Sequence, residues 1–485
     1  MSVNKKNVIN LLQDIVGNES VLTSQEDLLG YSYDGTPLRS EMPVAAVIPE
    51  STEQISRIIK LANQESFSVV PRGSGTGLSG GSVPVENSIV LLMNHWSKIL
   101  EIDQENLSAL VEPGVITADL HREVEQIGLF YPPDPASMSI CTIGGNVAEN
   151  SGGLRGLKYG VTKNYVLGME VVLPTGEIAN FGGKNVKDVA TYNLKDLMVG
   201  SEGTLGIFTK ILLKLVPLPQ TSKTMLAYFA SIREATETVS EIIAARIIPV
   251  TLEFLDNTTI TCVENYTHIG LDISAGALLL IEVDGHPAQV EEEAEKIVAI
   301  CTRKHAMQIQ IARDDDEALK LKTARRAAFP ALACLKPTTI LEDVTVPRSQ
   351  LGRMVEKVQQ IAQKHDILIG NFGHAGDGNL HPTALTDERD KDELHRVEKA
   401  YEEIFQAAIE LGGTITGEHG VGLAKKRFLA DSIDQASFEL MRKLKEFLDP
   451  NGVLNPGKIF DLRPKCEGPL PNSQQEIKRF DEIPP

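Results

Sequence analysis

Two short glycine-rich stretches near the end of the sequence carry histidines and a carboxylate. In HAGDGNLH, His374 and His381 lie on either side of the turn AGDGN, and GEHGVG adds Glu418 and His419. Two histidines and one carboxylate can fill three positions on a divalent metal and leave others open for a substrate. Zn²⁺, Fe²⁺ and Mn²⁺ all accept such ligands. Packed core or surface histidines are the alternative, and residue types alone leave both interpretations open.

A third glycine-rich stretch, PRGSGTGLSGGSVP at 71–84, follows the apolar run FSVV and spells G-x-G-x-x-G at Gly75, Gly77 and Gly80. A Rossmann fingerprint must close a strand and open a helix. Here the next element is another predicted strand, SIVLLM, and its end offers Asn94 instead of an acid. The stretch is therefore predicted not to be a dinucleotide turn. A phosphate cradle of backbone N–H groups and a plain glycine turn both remain open.

Two further loops of the same kind follow, each next to a predicted strand. Residues 132–160 are rich in glycine and in small hydroxyl and amide side chains, and residues 200–219 begin GSEGTLG and continue into an apolar strand. Three such loops suit a large ligand with two phosphates and several polar edges.

The order and spacing of these loops resemble the FAD-binding domain of vanillyl-alcohol-oxidase-type flavoproteins. Together with HAGDGNLH and GEHGVG, they most resemble the FAD-linked D-2-hydroxyacid dehydrogenases, which include glycolate oxidase catalytic subunits, D-lactate dehydrogenases and D-2-hydroxyglutarate dehydrogenases. The resemblance covers about residues 20–461. It implies an α+β fold, with a vanillyl-alcohol-oxidase/PCMH-type FAD-binding domain and a ferredoxin-like substrate (cap) domain.

The elements that must position these motifs can be predicted from periodicity. VAAVIPESTEQISRIIKLANQESFSVV predicts a strand, a helix and a second strand. Residues 73–217 show little helical periodicity and are predicted to be rich in strands and glycine loops. After LVPLP, two strand–helix–strand units predict a split βαβ sheet with helices on one face. Long helices are predicted near 350–364 and 390–411.

The expected domain organisation follows from the resemblance and from changes in composition. We expect an N-terminal helical segment over 1–38 and the FAD-binding domain over 39–218. The cap domain with the metal site is expected over 219–420, a C-terminal return to the FAD domain over 421–461, and a polar tail over 462–485.

The resemblance also implies where FAD lies. Loop 71–78 would wrap the pyrophosphate, the second loop would follow the flavin and ribityl chain, and the third would hold the adenine end. The implied cofactor residues are Pro71, Arg72, Gly73, Ser74, Gly75, Thr76, Gly77, Leu78, Ser137, Ser139, Thr142, Gly144, Gly145, Asn150, Gly152, Gly153, Glu202, Gly203, Ile207 and Asn455.

In that family the two histidine motifs form a divalent-metal and substrate site beside the flavin. The implied ligands are His374, His381 and Glu418, and His419 would be the catalytic base. Oxidation of a 2-hydroxy acid requires loss of the hydroxyl proton, and an alcohol is a very weak acid. Metal binding lowers the pKa of water from about 15.7 to about 7, so a metal with a histidine acceptor suits this reaction.

The substrate carboxylate would be held by Arg325, which precedes AFPA as in the family pattern, with Thr383 as a further substrate-binding residue. Adjacent helical residues point about 100° apart, so Arg326 is expected to form a solvated salt bridge. The 2-hydroxyglutarate enzymes carry a lysine two residues before an aspartate in the following strand. Here Leu341 precedes Asp343 at that spacing, which favours a small monocarboxylate, D-lactate or glycolate.

Composition limits the other possibilities. The net charge of −19 argues against nucleic acid, and no apolar run approaches the length that crosses a bilayer. The five cysteines, Cys141, Cys262, Cys301, Cys334 and Cys466, are odd in number and widely spaced. This pattern argues against a disulfide scaffold or an iron–sulfur site and favours reduced thiols in the cytoplasm. Any membrane association would then be peripheral, through a partner.

The electron acceptor has no signature in the sequence. Without an iron–sulfur set or an NAD fingerprint, reduced FAD must pass its electrons elsewhere, and an iron–sulfur subunit or an electron-transferring flavoprotein is expected. Alternative functions are a non-catalytic FAD electron-relay subunit, a D-2-hydroxyglutarate dehydrogenase, and a flavoprotein acting on an ether lipid or aryl alcohol. The paired histidine motifs disfavour the relay and the last of these.

The first glycine loop predicts non-covalent FAD. Many relatives attach FAD through a histidine in this loop, but RGSGTGLSG contains none, and Cys141 is expected to be a small packed residue. Acid precipitation should release the flavin into the supernatant, measured by absorbance. Flavin that stays in the pellet would contradict the prediction, and loss of that retention in Cys141→Ser would identify the attachment site.

Overall fold

The computed structural model describes residues 4–37 and 40–461. The predicted polar tail, 462–485, lies outside the described residues, and so does Cys466.

The part of the chain up to Pro217 alternates short helices with strands. Its helices are α1 Lys5–Val16, α2 Gln25–Leu29, α3 Thr52–Glu65, α4 Thr117–Glu125, α5 Ile143–Glu149, α6 Gly156–Tyr159 and α7 Leu194–Met198. Its strands are β1 Val21–Leu22, β2 Ala45–Val47, β3 Ser68–Arg72, β4 Ser88–Leu92, β5 Ile99–Asp103, β6 Ser108–Val111, β7 Leu129–Phe130, β8 Val166–Val172, β9 Ile178–Gly182, β10 Ile207–Lys214 and β11 Val216–Pro217.

Longer elements follow in the rest of the chain. The helices are α8 Ile232–Ala244, α9 Asn257–Thr267, α10 Pro287–Arg303, α11 Asp315–Arg326, α12 Ala328–Ala333, α13 Leu351–Lys364, α14 Lys391–Glu410, α15 Lys426–Ser432 and α16 Gln435–Leu448. The strands are β12 Thr221–Phe229, β13 Thr251–Asp256, β14 Ala277–Gly285, β15 Gln308–Ile311, β16 Thr338–Leu341, β17 Val344–Thr345, β18 Leu368–His374 and β19 Asn379–Thr386.

The first sheet, in the order β1-β2-β4-β3, carries the first glycine loop. The predicted strand–helix–strand unit is confirmed as β2, α3 and β3. Ser51 caps α3 by accepting a hydrogen bond from the Gln54 N–H, and an apolar face that includes Ile55 and Ile59 is buried. The chain passes from β3 through the glycine loop directly into β4, so the prediction that no helix follows the G-x-G-x-x-G pattern is confirmed.

The second sheet, in the order β5-β6-β10-β8-β9, is antiparallel and carries the other two loops. The region is rich in strands, but the pattern of little helical periodicity did not reveal its four short helices, α4 to α7. Helix α5 begins inside the second glycine loop, where Thr142 caps it by accepting from the Gly145 N–H. Two glycines in seven residues lower the helix propensity, and this conceals α5 from sequence patterns.

The large sheet runs in the order β15-β12-β14-β13-β18-β19-β16. Strands β12 to β15 come from the two predicted strand–helix–strand units and have the antiparallel ferredoxin-like order. However, the expectation of helices on one face only is wrong. Helices α8, α10, α13 and α14 cover one face, and α9, α11 and α12 cover the other. Leu279 and Leu278 on β14 belong to these two different cores, so the apolar run ALLLI is buried on both sides.

The last part of the described chain contacts the first sheet. Leu454 forms a parallel bridge with Val69 of β3. The buried Lys445 ammonium pairs with Asp449 and donates to the carbonyls of Thr204 and Leu454, each at 2.7 Å. The domain limits at 38, 218, 420 and 461 stay a proposal.

Candidate active site

A cavity of about 550 Å³ lies between the FAD-type loops and the large sheet. Both parts of the chain contribute to its wall. The predicted cofactor residues in the wall are Pro71, Arg72, Gly73, Ser74, Gly75, Thr76, Gly77, Leu78, Ser137, Thr142, Gly144, Gly145, Glu202, Gly203 and Ile207. The predicted substrate and metal residues in the wall are Arg325, His381, Glu418 and His419.

Two glycines of the first glycine loop have no room for a side chain. Gly75 has φ +73°, and a Cβ there would overlap the guanidinium of Arg72. A Cβ on Gly73 would overlap the hydroxyl of Thr142. Arg72 is buried and donates to the Tyr33 carbonyl at 2.7 Å, and burial lowers the pKa of its guanidinium. A bare backbone beside a buried cation suits an anionic pyrophosphate, so the loop fits the cradle interpretation.

The second loop approaches the cavity with the N-terminal end of α5. A Cβ on Gly144 would lie 2.6 Å from the side chain of Pro113, so the loop packs closely against the residues that follow β6. Cys141 is buried, its sulfur is 3.3 Å from the Thr117 hydroxyl, and burial raises the pKa of its thiol. Cys141 is therefore a packed, protonated residue in the cavity wall.

Glu202 of the third loop connects the two domains. It accepts hydrogen bonds from the Val421 N–H at 2.8 Å and from the Gly422 N–H at 2.6 Å, the last two residues of the GEHGVG motif. Burial raises the pKa of Glu149 well above its ordinary value, and the charge of Glu202 raises it further. Glu149 also lines the cavity, and sequence reasoning missed it because it is one more polar residue in GGNVAENSGG.

Five predicted cofactor residues are not brought to the cavity wall: Ser139, Asn150, Gly152, Gly153 and Asn455. Ser139 is exposed in a turn, and Asn150 ends α5 in a left-handed conformation. Gly153 would overlap the Asp134 carbonyl if it carried a Cβ. Asn455 donates to the carbonyls of Gly81 and Glu202, each at 2.8 Å. These five residues therefore lie in or beside the loops but outside the cavity wall.

His374, His381 and Glu418 come together, although Glu418 is distant in sequence. One ligand atom from each lies within 4.8 Å of the others. Glu418 Oε1 is 3.2 Å from His374 Nε2 and 3.4 Å from His381 Nε2. The histidines are on adjacent antiparallel strands, β18 and β19, joined by the turn AGDGN, so a hairpin brings their rings to 5.1 Å of each other.

The charge states of this cluster suit a cation. Burial alone would lower the pKa of His374, but Glu253 and Glu418 raise it well above its ordinary value. Burial lowers the pKa of His381 well below the ordinary value, which leaves a neutral imidazole. Burial opposes ionisation of Glu418, yet the three surrounding histidines hold its pKa at about 2. A site that attracts a proton between two carboxylates also favours a divalent ion with nitrogen and oxygen ligands.

His419 stacks on His381 with ring centroids 5.2 Å apart. Its Nδ1 lies 3.4 Å from Asp343 Oδ1, and its Nε2 lies 4.0 Å from Glu418 Oε1. Asp343 is fully buried and pairs with Lys425; burial opposes its ionisation, but His419 and Lys425 hold its pKa well below the ordinary value. One imidazole nitrogen of His419 therefore faces the buried Asp343 carboxylate, and the other faces Glu418 of the His374–His381–Glu418 cluster.

Arg325 is buried at the end of α11 and faces the cavity. Its Nε is 2.5 Å from Glu253 Oε2, and its guanidinium lies over the Phe372 ring at 4.7 Å. Arg326 forms the expected solvated salt bridge, because its side chain is 40% exposed and lies 3.9 Å from Asp134 Oδ2, although it also contributes to the cavity wall. Thr383 is not brought to the wall, because it is fully buried and donates to the His381 carbonyl at 3.1 Å.

Sequence reasoning missed Glu253 and Lys425 and used Asp343 only as a landmark beside Leu341. One signal was available for Glu253, which is a lone charged residue within the apolar strand TLEFL. Such a charge on a buried strand requires partners.

Two family models match the chain. Residues 43–182 match the FAD binding domain, and residues 218–459 match the C-terminal domain of FAD linked oxidases. The chain is 56% identical to the glycolate oxidase subunit GlcD of Bacillus subtilis, over 94% of this chain and 97% of that protein. It therefore belongs to the FAD-linked oxidases, a family of FAD-dependent oxidoreductases. The resemblance drawn from its motifs is confirmed.

Other relatives and solved structures agree with this family and fold. The chain is 35% identical to a D-lactate dehydrogenase of Anaerostipes hadrus, over 86% of this chain and 89% of that protein. The 4-ethylphenol oxidase from Gulosibacter chungangensis superposes with a TM-score of 0.80 at 19% identity, over 96% and 99% of the two chains. p-Cresol methylhydroxylase gives 0.79 at 18% identity, over 95% and 98%. The predicted PCMH-type α+β fold is confirmed. In the described part of the chain, no helix is long and apolar enough to span a bilayer.

The first loop generates a prediction about cofactor retention. Gly75→Val should yield protein with little bound FAD, because the side chain would displace Arg72 and fill the phosphate cradle. The matched control is Gly270→Val, where φ is +87° but a Cβ meets nothing within 4 Å. Both variants carry backbone strain of about 1–3 kcal/mol. The measurement is the flavin-to-protein absorbance ratio after gel filtration, and equal ratios in the two variants would contradict the cradle.

Proposed function

We propose that this protein oxidises a small D-2-hydroxy acid, D-lactate or glycolate, to the 2-oxo acid with FAD and one divalent metal ion. The observation that carries the proposal is the convergence of His374, His381 and Glu418 beside a cavity that His419 and Arg325 share with the FAD loops. The relatives named as a glycolate oxidase subunit and as a D-lactate dehydrogenase support the substrate class.

The wall fits FAD on one side and a small acid on the other. Glycines without room for a Cβ line the loop end of the cavity, and His381, His419 and Arg325 line the sheet end, whereas His374 lies behind the wall. FAD supplies the hydride acceptor when bound, held without a covalent bond. The domain interface then keeps the substrate carbon close to the cofactor and away from water.

Arg325 binds the substrate carboxylate. Because Glu253 occupies its Nε, the two terminal nitrogens remain to form a bidentate pair with a carboxylate. Burial strengthens this interaction, since the surrounding dielectric is low. The Phe372 ring beneath the guanidinium fixes its plane.

His419 takes the hydroxyl proton. Its Nε2 is on the side of Glu418, and its Nδ1 is on the side of the anionic Asp343, so a proton gained at Nε2 is stabilised by the buried carboxylate across the ring. A divalent ion held by His374, His381 and Glu418 would lower the pKa of a coordinated hydroxyl. Zn²⁺, Fe²⁺ and Mn²⁺ all suit this ligand set.

The electrons leave through a partner protein, either an iron–sulfur subunit or an electron-transferring flavoprotein. The relative named as a subunit of glycolate oxidase supports an assembly of this kind. With such a partner the protein would work in the cytoplasm or at the membrane surface. A non-catalytic FAD relay is the second candidate, but it does not need a buried histidine–glutamate cluster.

Two variants should separate the metal from the base. His374→Ala should lose metal and activity but keep FAD, because the flavin loops come from another domain. His419→Asn should keep metal and FAD and lose about 10²–10⁴-fold in kcat, the range for a general base. Elemental analysis, flavin absorbance and flavin bleaching by D-lactate measure these outcomes.

The control for both is His395→Asn, since this histidine is exposed on α14 and should change neither metal content nor rate. Wild-type protein that bleaches at full rate with D-lactate after chelation to a metal-free state would remove the metal from the mechanism.

Substrate size should depend on Leu341, which lines the cavity together with Phe329 and Phe372. These three apolar side chains offer no partner for a second carboxylate, so kcat/KM should be higher for D-lactate or glycolate than for D-2-hydroxyglutarate. Leu341→Lys should shift this ratio toward the diacid. Leu335→Lys is the control, because Leu335 is half exposed and outside the wall. A higher kcat/KM of the wild-type protein for D-2-hydroxyglutarate would contradict the assignment of a monocarboxylate substrate.

A further inference from the structure

A single carboxylate joins the metal cluster to the carboxylate-binding arginine. Glu253 lies in the middle of β13, and its side chain is 1% exposed. Its Oε1 is 2.7 Å from His374 Nδ1, and its Oε2 is 2.5 Å from Arg325 Nε. Each oxygen thus has one donor, and the two donors belong to the two binding functions of the site.

We propose that Glu253 is a positioning residue that couples metal affinity to substrate-carboxylate affinity. The inference rests on the proposed function, in which His374 is a metal ligand and Arg325 holds the substrate carboxylate. It adds that neither residue reaches its binding geometry unless the other side of Glu253 is also occupied.

The metal side of this coupling depends on the histidine tautomer. Because Oε1 accepts a hydrogen bond from Nδ1, the Nδ1 proton is held by Glu253, and Nε2, which is 3.2 Å from Glu418, is the atom available to a metal ion. Hydrogen bonds of this kind orient a ligating histidine and increase its basicity. Glu253 thereby presets His374 for a metal ion.

The substrate side depends on the plane of the guanidinium. Oε2 holds Arg325 at Nε, and the Phe372 ring lies under the group at 4.7 Å. These two contacts leave the terminal nitrogens directed away from Glu253. A buried anion needs both of its donors. If Arg325 were displaced, the Glu253 carboxylate would keep only the hydrogen bond from His374, and its position relative to His374 would change.

A purely structural alternative is that Glu253 only anchors α11 to the sheet. The same helix is anchored by a second pair, in which Lys322 bonds Glu282 at 2.7 Å. Glu282 is buried on the adjacent strand β14, opposite Thr251 of β13, and it lies outside the cavity wall. Glu282→Gln is therefore a matched control that weakens the anchoring of α11 without touching the site.

The test is Glu253→Gln in the full-length, FAD-loaded protein. Glutamine has one acceptor oxygen, and its amide nitrogen is a donor that faces a donor, so one partner must be released. Zn²⁺ affinity is measured by chelator competition without substrate. Pyruvate affinity is measured in metal-depleted protein through perturbation of the flavin spectrum. This isolates the Arg325 side.

We expect both affinities to fall by about 10–100-fold, the range for loss of a hydrogen bond behind a metal ligand, because release of one partner also disturbs the other. Loss of only one affinity would reject the coupling. FAD content should be unchanged, and Glu282→Gln should retain both affinities. Wild-type affinities for both probes in Glu253→Gln would overturn the proposal. Equal losses in Glu282→Gln would overturn it too, because helix anchoring would then explain them.

Glu253→Asp decides the question if the glutamine variant fails to fold. It keeps the charge but is shorter by one carbon–carbon bond, about 1.5 Å, so it cannot reach both partners at hydrogen-bond distance. It should also lose affinity for both probes, and wild-type affinity for either probe contradicts the coupling.

Failure of the coupling can be distinguished from failure of the proposed function. His374→Ala and Arg325→Ala are measured with the same two probes. If His374→Ala keeps its Zn²⁺ affinity, the metal site itself is wrong. If His374→Ala loses Zn²⁺ and Arg325→Ala loses pyruvate while Glu253→Gln keeps both, only the coupling is rejected.

Discussion

The loop that carries GEHGVG is held by two buried carboxylates that come from opposite sides of the cavity. Asp343, beside the large sheet, accepts hydrogen bonds from the Gly417 and Glu418 N–H groups at 2.6 and 2.9 Å. Glu202, on the third FAD loop, accepts from the two N–H groups that follow Gly420. Charge-assisted bonds to backbone N–H groups are short and strong. The positions of Glu418 and His419 therefore depend on both domains.

This clamp explains why the motif needs its glycines. Gly420 has φ +86°, and a Cβ there would overlap Glu149 and lie 3.1 Å from the Glu202 carboxylate. A Cβ on Gly417 would overlap Asn379 and Thr345. The glycines let the backbone come close enough for its N–H groups to reach the Asp343 and Glu202 carboxylates. These hydrogen bonds fix the backbone of the motif and thereby the positions of the Glu418 and His419 side chains.

The parts of the site that were predictable are those in which residue type and spacing report the chemistry directly. The glycine loops predicted FAD, and the two histidine motifs predicted a cluster that the fold brings together. Glu253 and Glu149 were not predictable, because their importance depends on partners that are distant in sequence, such as Arg325 and Glu202. Helix α5 and the second helical layer escaped for a related reason, since short glycine-containing helices and strands buried on both faces have no distinctive period.

The distribution of charge follows from the same architecture. Asp343 is compensated by Lys425, which is also fully buried, and this pair lies directly behind His419. Such a pair is unfavourable to bury unless every lone pair is satisfied, and here two backbone N–H groups and the Thr416 hydroxyl complete the shell. Removal of Lys425 would leave the Asp343 carboxylate buried without this compensating cation, which is strongly destabilising. Lys425 therefore neutralises part of the negative charge of Asp343, while the Asp343 carboxylate still faces Nδ1 of the His419 imidazole at 3.4 Å.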